Sequence, residues 1–420
     1  MKNRTYLCID LKSFYASVEC VERKLDPMKT NLVVADPERE RGTICLAVSP
    51  SMKALGVSNR CRVFQIPPNI KYIMAPPRMQ LYIDYSARIY EIYLKYIAKE
   101  DIHVYSIDEA FLDVTNYLDL YRMSAIDLGK RIMEDIKKDI GVVATCGIGT
   151  NLYLAKVALD ITAKHSKNFI GYLDEELYQQ TLWNHRPLTD FWRVGPGIAR
   201  RLEGVGLFTM GDIVRADEKL LAKLLGIDSE YLIDHAWGRE PVTMEEIKSY
   251  KAKTNCLSSG QVLMHEYNYE DGLVIVKEMT DLLCLDLVEK NLVTNSISLY
   301  VGYIKNTIDS VNSSVTMSVT TNSVRIITKY MTELYERIVN PSVPIKRFNI
   351  SFNNLVDEAY EQYDLFTNPA EPEKDRKIQT AVLDIKKKFG KNAILKGMDL
   401  QQNATTIERN RQIGGHKSGI

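Results

Sequence analysis

Three acidic residues lie where carboxylates are costly to bury. Asp10 ends the apolar run from Tyr6 to Ile9, and Asp108 and Glu109 interrupt the apolar, β-branched segment VYSIDEAFLDV at 104–114. A buried carboxylate without a partner is unfavourable and adjacent acids repel, so the pattern calls for a cation or a shift in protonation. All-oxygen ligands favour Mg²⁺ or Mn²⁺ over zinc. The alternative is a polar hairpin tip at 108–109 and a turn acid at position 10.

The elements around these acids predict an α+β core. A short strand ending at Asp10 precedes a helix that begins after Ser13, and helices with apolar stripes follow at 81–96 and 128–140. Strand patterns lie between and after them. This order predicts a sheet of the split βαβ kind with helices on one side. Strand signals between residues 31 and 66 predict a small insertion.

Length and composition limit the function classes. A chain of 420 residues predicts three or four domains, and 26% charged with 45% hydrophobic residues is typical of a folded soluble protein. Because the net charge is +0, nucleic acid would have to bind local basic patches. The seven cysteines form no C-x-x-C pair, which predicts reduced thiols. No stretch approaches the ~20 apolar residues of a membrane span, so we expect a cytoplasmic protein.

Three ordered motifs resemble those of the Y-family lesion-bypass DNA polymerases. They are DLKSFYASVE at 10–19, SIDEAFLDV at 106–114 and CGIGTNLYLAKVALDITAK at 146–164. The branch resembled is UmuC/ImpB/MucB/SamB, and the ending TIERNRQIGGHKSG is similar to the Gram-positive UvrX-like subgroup. The resemblance implies an α+β right-hand polymerase with a βαββαβ-like palm (1–14 and 68–172), small fingers (15–67), a helical thumb (173–240), a linker (241–253), an α/β little finger (254–356) and a C-terminal linker and tail (357–420).

The resemblance also implies a catalytic centre. Asp10, Asp108 and Glu109, helped by the backbone carbonyl of Leu11, would hold two Mg²⁺ ions, with Mn²⁺ as a substitute, for in-line nucleotidyl transfer.

Around that centre the resemblance implies contacts to the incoming nucleotide. Tyr15 would be the steric gate against ribonucleotides, with Phe14 beside it. The triphosphate would contact Lys53 and Lys164, and a small aliphatic roof over the base pair would consist of Ile44 and Leu46. Pro50 and Lys53 depart from the wider family pattern. This leaves the number of phosphate hydrogen bonds open, because lysine is a point charge rather than a fork. Core packing of the aromatic rings and solvated lysines are the alternatives.

Further motifs predict contacts with DNA and with a protein partner. The stretch VGPGIARRLEGVGLFTMGDI at 194–213 resembles a helix-hairpin-helix that binds phosphate through backbone N–H groups. The predicted DNA contacts are Gly195, Gly197 and Arg200 in this motif and Arg325 and Arg347 in the little finger. EQYDLF at 361–366 looks like a sliding-clamp peptide whose binding residues are Gln362, Asp364, Leu365 and Phe366. An ordinary helical turn and a chance pentapeptide are the alternatives, and the basic tail has no assigned role.

Together these features predict a template-directed DNA polymerase that inserts nucleotides opposite damaged bases, with low fidelity and without proofreading. Its partners would be primer–template DNA, dNTPs, a sliding clamp and an accessory subunit of the UmuC-branch kind, and it would associate with the nucleoid. One alternative is a catalytically inactive DNA-binding or recruitment factor, against which the presence of all three acids argues. The other is a nucleotidyl cyclase with a related palm, which would need neither the hairpin motif nor the clamp-like peptide.

Overall fold

The computed structural model describes residues 4–39, 42–251, 256–360 and 370–419. The chain divides into two compact units, one up to Lys251 and one from Ala252 to Ser418. In chain order, unit 1 contains β1 (Tyr6–Leu11), α1 (Phe14–Glu22), β2 (Leu32–Val34), β3 (Ala47–Val48), α2 (Pro50–Ala54), β4 (Ile73–Ala75), α3 (Met79–Leu94), β5 (Ile102–Val104), β6 (Glu109–Asp113), α4 (Tyr117–Tyr121), α5 (Ala125–Ile140), β7 (Ala144–Gly149), α6 (Leu152–Val157), β8 (Ile170–Leu173), α7 (Glu175–Leu182), α8 (Pro196–Glu203), α9 (Met210–Arg215), α10 (Glu218–Leu225), α11 (Asp228–Trp237) and α12 (Met244–Ser249).

The centre of unit 1 is a sheet in the order β5-β6-β1-β7-β8. β1 lies antiparallel between β6 and β7, and β8 runs parallel to β7. The apolar stripe predicted for 128–140 is buried on α5, which begins at the Ser124 cap and ends at Gly141, where φ is 83°. That left-handed conformation is one that glycine adopts without steric cost.

Helices cover both faces of this sheet, so the expectation of helices on one side is wrong. Gly129 of α5 lies against the side chains of Leu7 and Cys146. Gly147 points to the opposite face because successive residues of a strand alternate. A Cβ atom at Gly147 would lie 2.2 Å from the backbone oxygen of Ala155, so only glycine lets the backbone of α6 approach this closely. This packing places α6 beside the carboxylates described below.

A small sheet in the order β3-β2-β4 forms the predicted insertion. Its core includes Val33, Val48, Met52 and Val63. The hydroxyl of Ser49 caps α2 by accepting a hydrogen bond from the Met52 N–H. The cap fixes the start of the helix that carries Lys53.

The helices α7 to α11 share a core that includes Tyr178, Leu202 and Ile213. The predicted linker at 241–253 contains the helix α12. Its Met244 packs with Tyr6 and Cys8 of β1.

Unit 2 contains β9 (Cys256–Tyr267), α13 (Tyr269–Lys290), β10 (Leu292–Tyr303), β11 (Val311–Thr321), α14 (Val324–Ile338), β12 (Ile345–Asn353), β13 (Val356–Asp357), α15 (Ala370–Phe389), α16 (Thr406–Asn410), β14 (Gln412–Ile413) and β15 (His416–Lys417). Its main sheet has the order β11-β10-β12-β9, and β13 pairs with β10. Alternate residues of β12, such as Phe348 and Ile350, are buried in a core shared with α13 and α14. The residues that alternate with these along β12, such as Arg347 and Asn349, point away from the two helices.

The C-terminal segment extends the helical side of unit 2. The buried carboxylate of Glu278 on α13 accepts hydrogen bonds from the backbone N–H groups of Thr405 at 2.9 Å and Thr406 at 3.0 Å. Lys387 pairs with Glu289 at 2.9 Å, and Lys396 pairs with Asp281. The segment predicted as a basic tail therefore uses these two lysines to bind acids of α13.

Across the described ranges, no helix is both long and apolar enough to cross a bilayer.

Candidate active site

The three predicted acids meet at one end of β1 and β6. Asp10 and Glu109 are directly paired across the two antiparallel strands, so their side chains leave the sheet on the same face. Asp108 precedes β6, and its carbonyl oxygen accepts a hydrogen bond from the Leu11 N–H at 3.0 Å. Its carboxylate accepts a hydrogen bond from the Ser106 hydroxyl at 2.7 Å. The acids are therefore close neighbours although about 98 residues of sequence separate position 10 from the pair.

A cavity of about 1060 Å³ opens beside them. It brings together most of the predicted catalytic and nucleotide-contacting residues, namely Asp10, Leu11, Phe14, Tyr15, Leu46, Lys53, Asp108 and Lys164. Ile44 does not belong to this lining: it is 43% exposed and forms a β-bridge with Arg62. Two cations that the sequence analysis did not single out, Lys12 and Arg60, also line the cavity.

Glu109 is held by a lysine that the sequence analysis missed. The ammonium of Lys156 lies 2.8 Å from a carboxylate oxygen of Glu109, and each side chain is only 9% exposed. The Cys8 thiol donates to the other oxygen of Glu109 at 3.3 Å. Lys156 also pairs with Asp160 at 3.0 Å. Lys156 therefore neutralises a carboxylate that is almost fully removed from solvent.

The ion pairs continue along the same stretch of chain. Asp160 pairs with Lys164 at 2.7 Å, and the ammonium of Lys164 lies 4.0 Å from the carboxylate of Asp10. Alternating charges therefore connect Glu109 to Asp10 through three residues spaced four apart. This spacing of four residues, in a segment that includes a π-helical turn at 158–162, is the sequence signal from which the ion pairs could have been predicted.

Burial and the neighbouring carboxylates disfavour the charged form of Asp10. Burial raises the pKa of Asp10 to about 7, against the opposing charge of Lys164 and with added repulsion from Asp108 and Glu109. A cation at Asp10 and Asp108 would relieve this repulsion, and carboxylate oxygens are ligands that Mg²⁺ accepts. Among the residues that the structure describes, no three acidic, histidine or cysteine side chains already form a metal cage. Glu109 faces Lys156 and Asp108 faces Ser106 instead.

The aromatic pair lies at the start of α1. Phe14 is buried, whereas Tyr15 is half-buried and stacks on Tyr82 with ring centroids 4.5 Å apart. The Tyr82 hydroxyl donates to Glu19 at 2.8 Å, and Arg78 pairs with the same carboxylate at 2.8 Å. The ring of Tyr15 is therefore supported from behind while it faces the cavity.

The predicted DNA contacts occupy separate surfaces. Gly195 precedes the first residue of α8, and, apart from the adjoining residues and the backbone of α8 itself, no heavy atom lies within 4 Å of a Cβ position built at Gly195 or Gly197. The space beside these two glycines at the start of α8 is therefore open. Arg200 is exposed on α8. In unit 2, Arg347 is exposed on the sheet face without α13 and α14, whereas Arg325 is exposed in the first turn of α14. The clamp-like residues Gln362, Asp364, Leu365 and Phe366 lie outside the described residues.

Comparison with known proteins covers nearly the whole chain. A model described as the impB/mucB/samB family matches residues 9–160, and the model of that family's C-terminal domain matches residues 258–365. UvrX of Bacillus subtilis, a protein named for UV-damage repair, is 29% identical over 99% of this chain and 98% of its own length. DNA polymerase IV 2 of the same organism is 29% identical over 99% of both chains.

A solved structure of a Y-family DNA polymerase chimera has a TM-score of 0.66 at 22% identity, covering 84% of this chain and 99% of that chain. At this identity the likeness establishes the fold, and it confirms the predicted α+β polymerase architecture. The two matched family segments together span more than half of the 420 residues. The chain therefore belongs to the impB/mucB/samB family.

Proposed function

We propose that this chain is a DNA-directed DNA polymerase that inserts nucleotides opposite damaged template bases. The observation that carries the proposal is the convergence of Asp10 and Asp108 with Lys53 and Lys164 in one cavity beside Tyr15. Acids that can hold divalent cations, next to lysines that can neutralise phosphates, suit nucleotidyl transfer. The names of the relatives, a UV-damage repair protein and DNA polymerase IV, point to the same activity.

Catalysis would depend mainly on positioning the reactants and on neutralising their negative charge. Asp10 and Asp108, with the Leu11 carbonyl and with Glu109 as the third acid, would hold two Mg²⁺ ions, and Mn²⁺ could substitute. When bound, these ions would activate the primer 3′-hydroxyl and neutralise the leaving pyrophosphate. Lys53 and Lys164 would bind the triphosphate, which fixes the α-phosphate opposite the primer terminus.

Other side chains would set selectivity. The Tyr15 ring, backed by Tyr82, would exclude a ribose 2′-hydroxyl from the sugar position, with the ring of Phe14 beside it. Leu46 would contact the base pair as a small aliphatic group, a loose roof that tolerates distorted templates and lowers fidelity. Ile44, which lies outside the cavity lining, would need a local shift to join this roof.

DNA and protein partners complete the proposal. The open start of α8 at Gly195 and Gly197, together with Arg200, would bind the DNA backbone, and Arg347 and Arg325 would add phosphate contacts. The segment from Gln362 to Phe366 would bind a sliding clamp. An accessory subunit, cytoplasmic location and association with the nucleoid are further parts of the proposal.

Primer extension on templates with and without an abasic site tests the activity. Wild type should extend past the lesion in Mg²⁺, and Asp108→Asn should abolish extension on both templates. Asp119→Asn, which changes an exposed acid of α4, is the matched control and should retain activity. Extension that survives Asp108→Asn would refute the acid assignment, and an inactive wild type would favour a recruitment factor.

A further inference from the structure

We infer that Lys12 is an additional phosphate-binding residue of this cavity, contacting a non-bridging oxygen of the β- or γ-phosphate of the incoming nucleotide. This inference rests on the proposed function and extends the triphosphate site beyond Lys53 and Lys164.

The backbone of Lys12 is fixed on both sides of the residue. It follows the last residue of β1, and its N–H donates to the Val143 carbonyl at 2.9 Å. Its own carbonyl accepts a hydrogen bond from the Ser17 hydroxyl at 2.6 Å. Because β1 also carries Asp10, the strand that positions the catalytic acid positions this lysine as well. The side chain lines the cavity with Asp10, Lys53 and Lys164.

An aromatic ring supports the ammonium of Lys12. The Nζ atom lies 4.0 Å from the centroid of the Phe169 ring. Phe169 is itself tied to the sheet, because its carbonyl oxygen accepts the Cys146 N–H at 2.9 Å. A cation over a ring face is attracted without being neutralised. The contact therefore limits where the ammonium goes while leaving its charge available to an anion.

The charge balance of the cavity favours an anionic ligand. Lys164 is compensated by Asp160 at 2.7 Å and lies 4.0 Å from Asp10. Within the described ranges, neither Lys12 nor Lys53 has a carboxylate oxygen within 4.0 Å. Like charges in a partly buried cavity repel, and a polyphosphate would relieve that repulsion. A DNA phosphate has the same chemistry, so the test must separate the two sources.

Steady-state nucleotide insertion tests the inference. In Lys12→Met we expect the KM for dNTP to rise about tenfold, the scale of one charge-assisted contact, while kcat falls less. The dissociation constant for primer–template DNA should stay unchanged. Lys12→Arg should stay within about threefold of wild type because it keeps the charge. The matched control is Lys130→Met, an exposed lysine of α5. Inhibition by added pyrophosphate should weaken in Lys12→Met only.

Three results would overturn the inference. One is a KM for Lys12→Met equal to that of Lys130→Met. Another is weaker DNA binding with an unchanged KM for dNTP, which would assign Lys12 to a DNA phosphate. The third is equal affinity of wild type and Lys12→Met for inorganic tripolyphosphate, measured by calorimetry, whereas loss of affinity in Lys12→Met supports the inference. This measurement decides about Lys12 even if wild type extends no primer, a result that would contradict only the proposed function.

Discussion

Replacing Lys156 with methionine should destabilise unit 1 strongly. The side chains of Lys156 and Glu109 are each 9% exposed and their charged atoms are 2.8 Å apart. Removing the ammonium would leave Glu109 with the weak Cys8 donor as its remaining hydrogen-bond partner among the described residues. Breaking one side of a buried ion pair costs about 3–5 kcal/mol. We expect a loss of about 3 kcal/mol in unfolding free energy, because methionine retains the packing of the aliphatic stem.

The melting temperature of unit 1 measures this loss. All three tryptophans, Trp183, Trp192 and Trp237, belong to unit 1, so their fluorescence follows that unit. For a unit of this size, 3 kcal/mol corresponds to a decrease of about 6–12 °C. The measurement is made in chelator, so that no divalent cation replaces the lost charge. Lys130→Met, at an exposed position, should leave the melting temperature within about 1–2 °C of wild type.

A second substitution separates charge from packing. Glu109→Gln removes the unpaired charge, so the double variant with Lys156→Met should be more stable than Lys156→Met alone. The reasoning is refuted if Lys156→Met melts within 2 °C of wild type, or if adding Glu109→Gln to it lowers stability further.

Three other substitutions test separate parts of the molecule. Tyr15→Ala should raise the relative kcat/KM for CTP over dCTP by about tenfold or more, because the ring no longer fills the sugar position; unchanged discrimination would remove the steric-gate assignment. Burial raises the pKa of Glu19, but hydrogen bonds from Arg78 and two other side chains lower it more, so the net shift is downward. The folded-state pKa is below the ordinary value of 4.5, so ionised Glu19 stabilises unit 1 above pH 4.5 and this contribution is lost as the pH falls below it. Glu19→Gln should therefore melt well below wild type at pH 7, with a difference that shrinks toward pH 3.5; a constant difference would contradict the ion-pair explanation. Glu278→Gln should weaken the attachment of the C-terminal segment and speed its proteolysis, whereas the exposed Glu336→Gln should not; equal cleavage rates would argue against the anchor.

Local patterns were enough to predict the acids and the helix stripes. An apolar strand that ends at Asp10, and an apolar segment interrupted at Asp108 and Glu109, are visible because burial makes such carboxylates exceptional. The stripe of α5 was visible because helical periodicity is a property of a short window. The family motifs added the roles, which neither periodicity nor spacing would have supplied.

Contacts between distant residues were not predictable in this way. Glu109 and Lys156 are 47 positions apart, and Glu278 and Thr405 are 127 positions apart. The sequence assigns no role to the basic C-terminal segment because the acids that Lys387 and Lys396 meet are on α13. The helix on the second face of the unit 1 sheet was not predictable either, because its position depends on the contact between Gly147 and the backbone of α6.

The sequence by itself determined which residues could do the chemistry, because residue type and local periodicity decide where a carboxylate, a lysine or an aromatic ring stands on its own element. Only the tertiary structure decided how these groups are paired: Glu109 with Lys156, Tyr15 with Tyr82, and Lys12 with Phe169. The physical reason is that each pair joins separate elements, and their distance follows from sheet register and helix packing rather than from spacing along the chain.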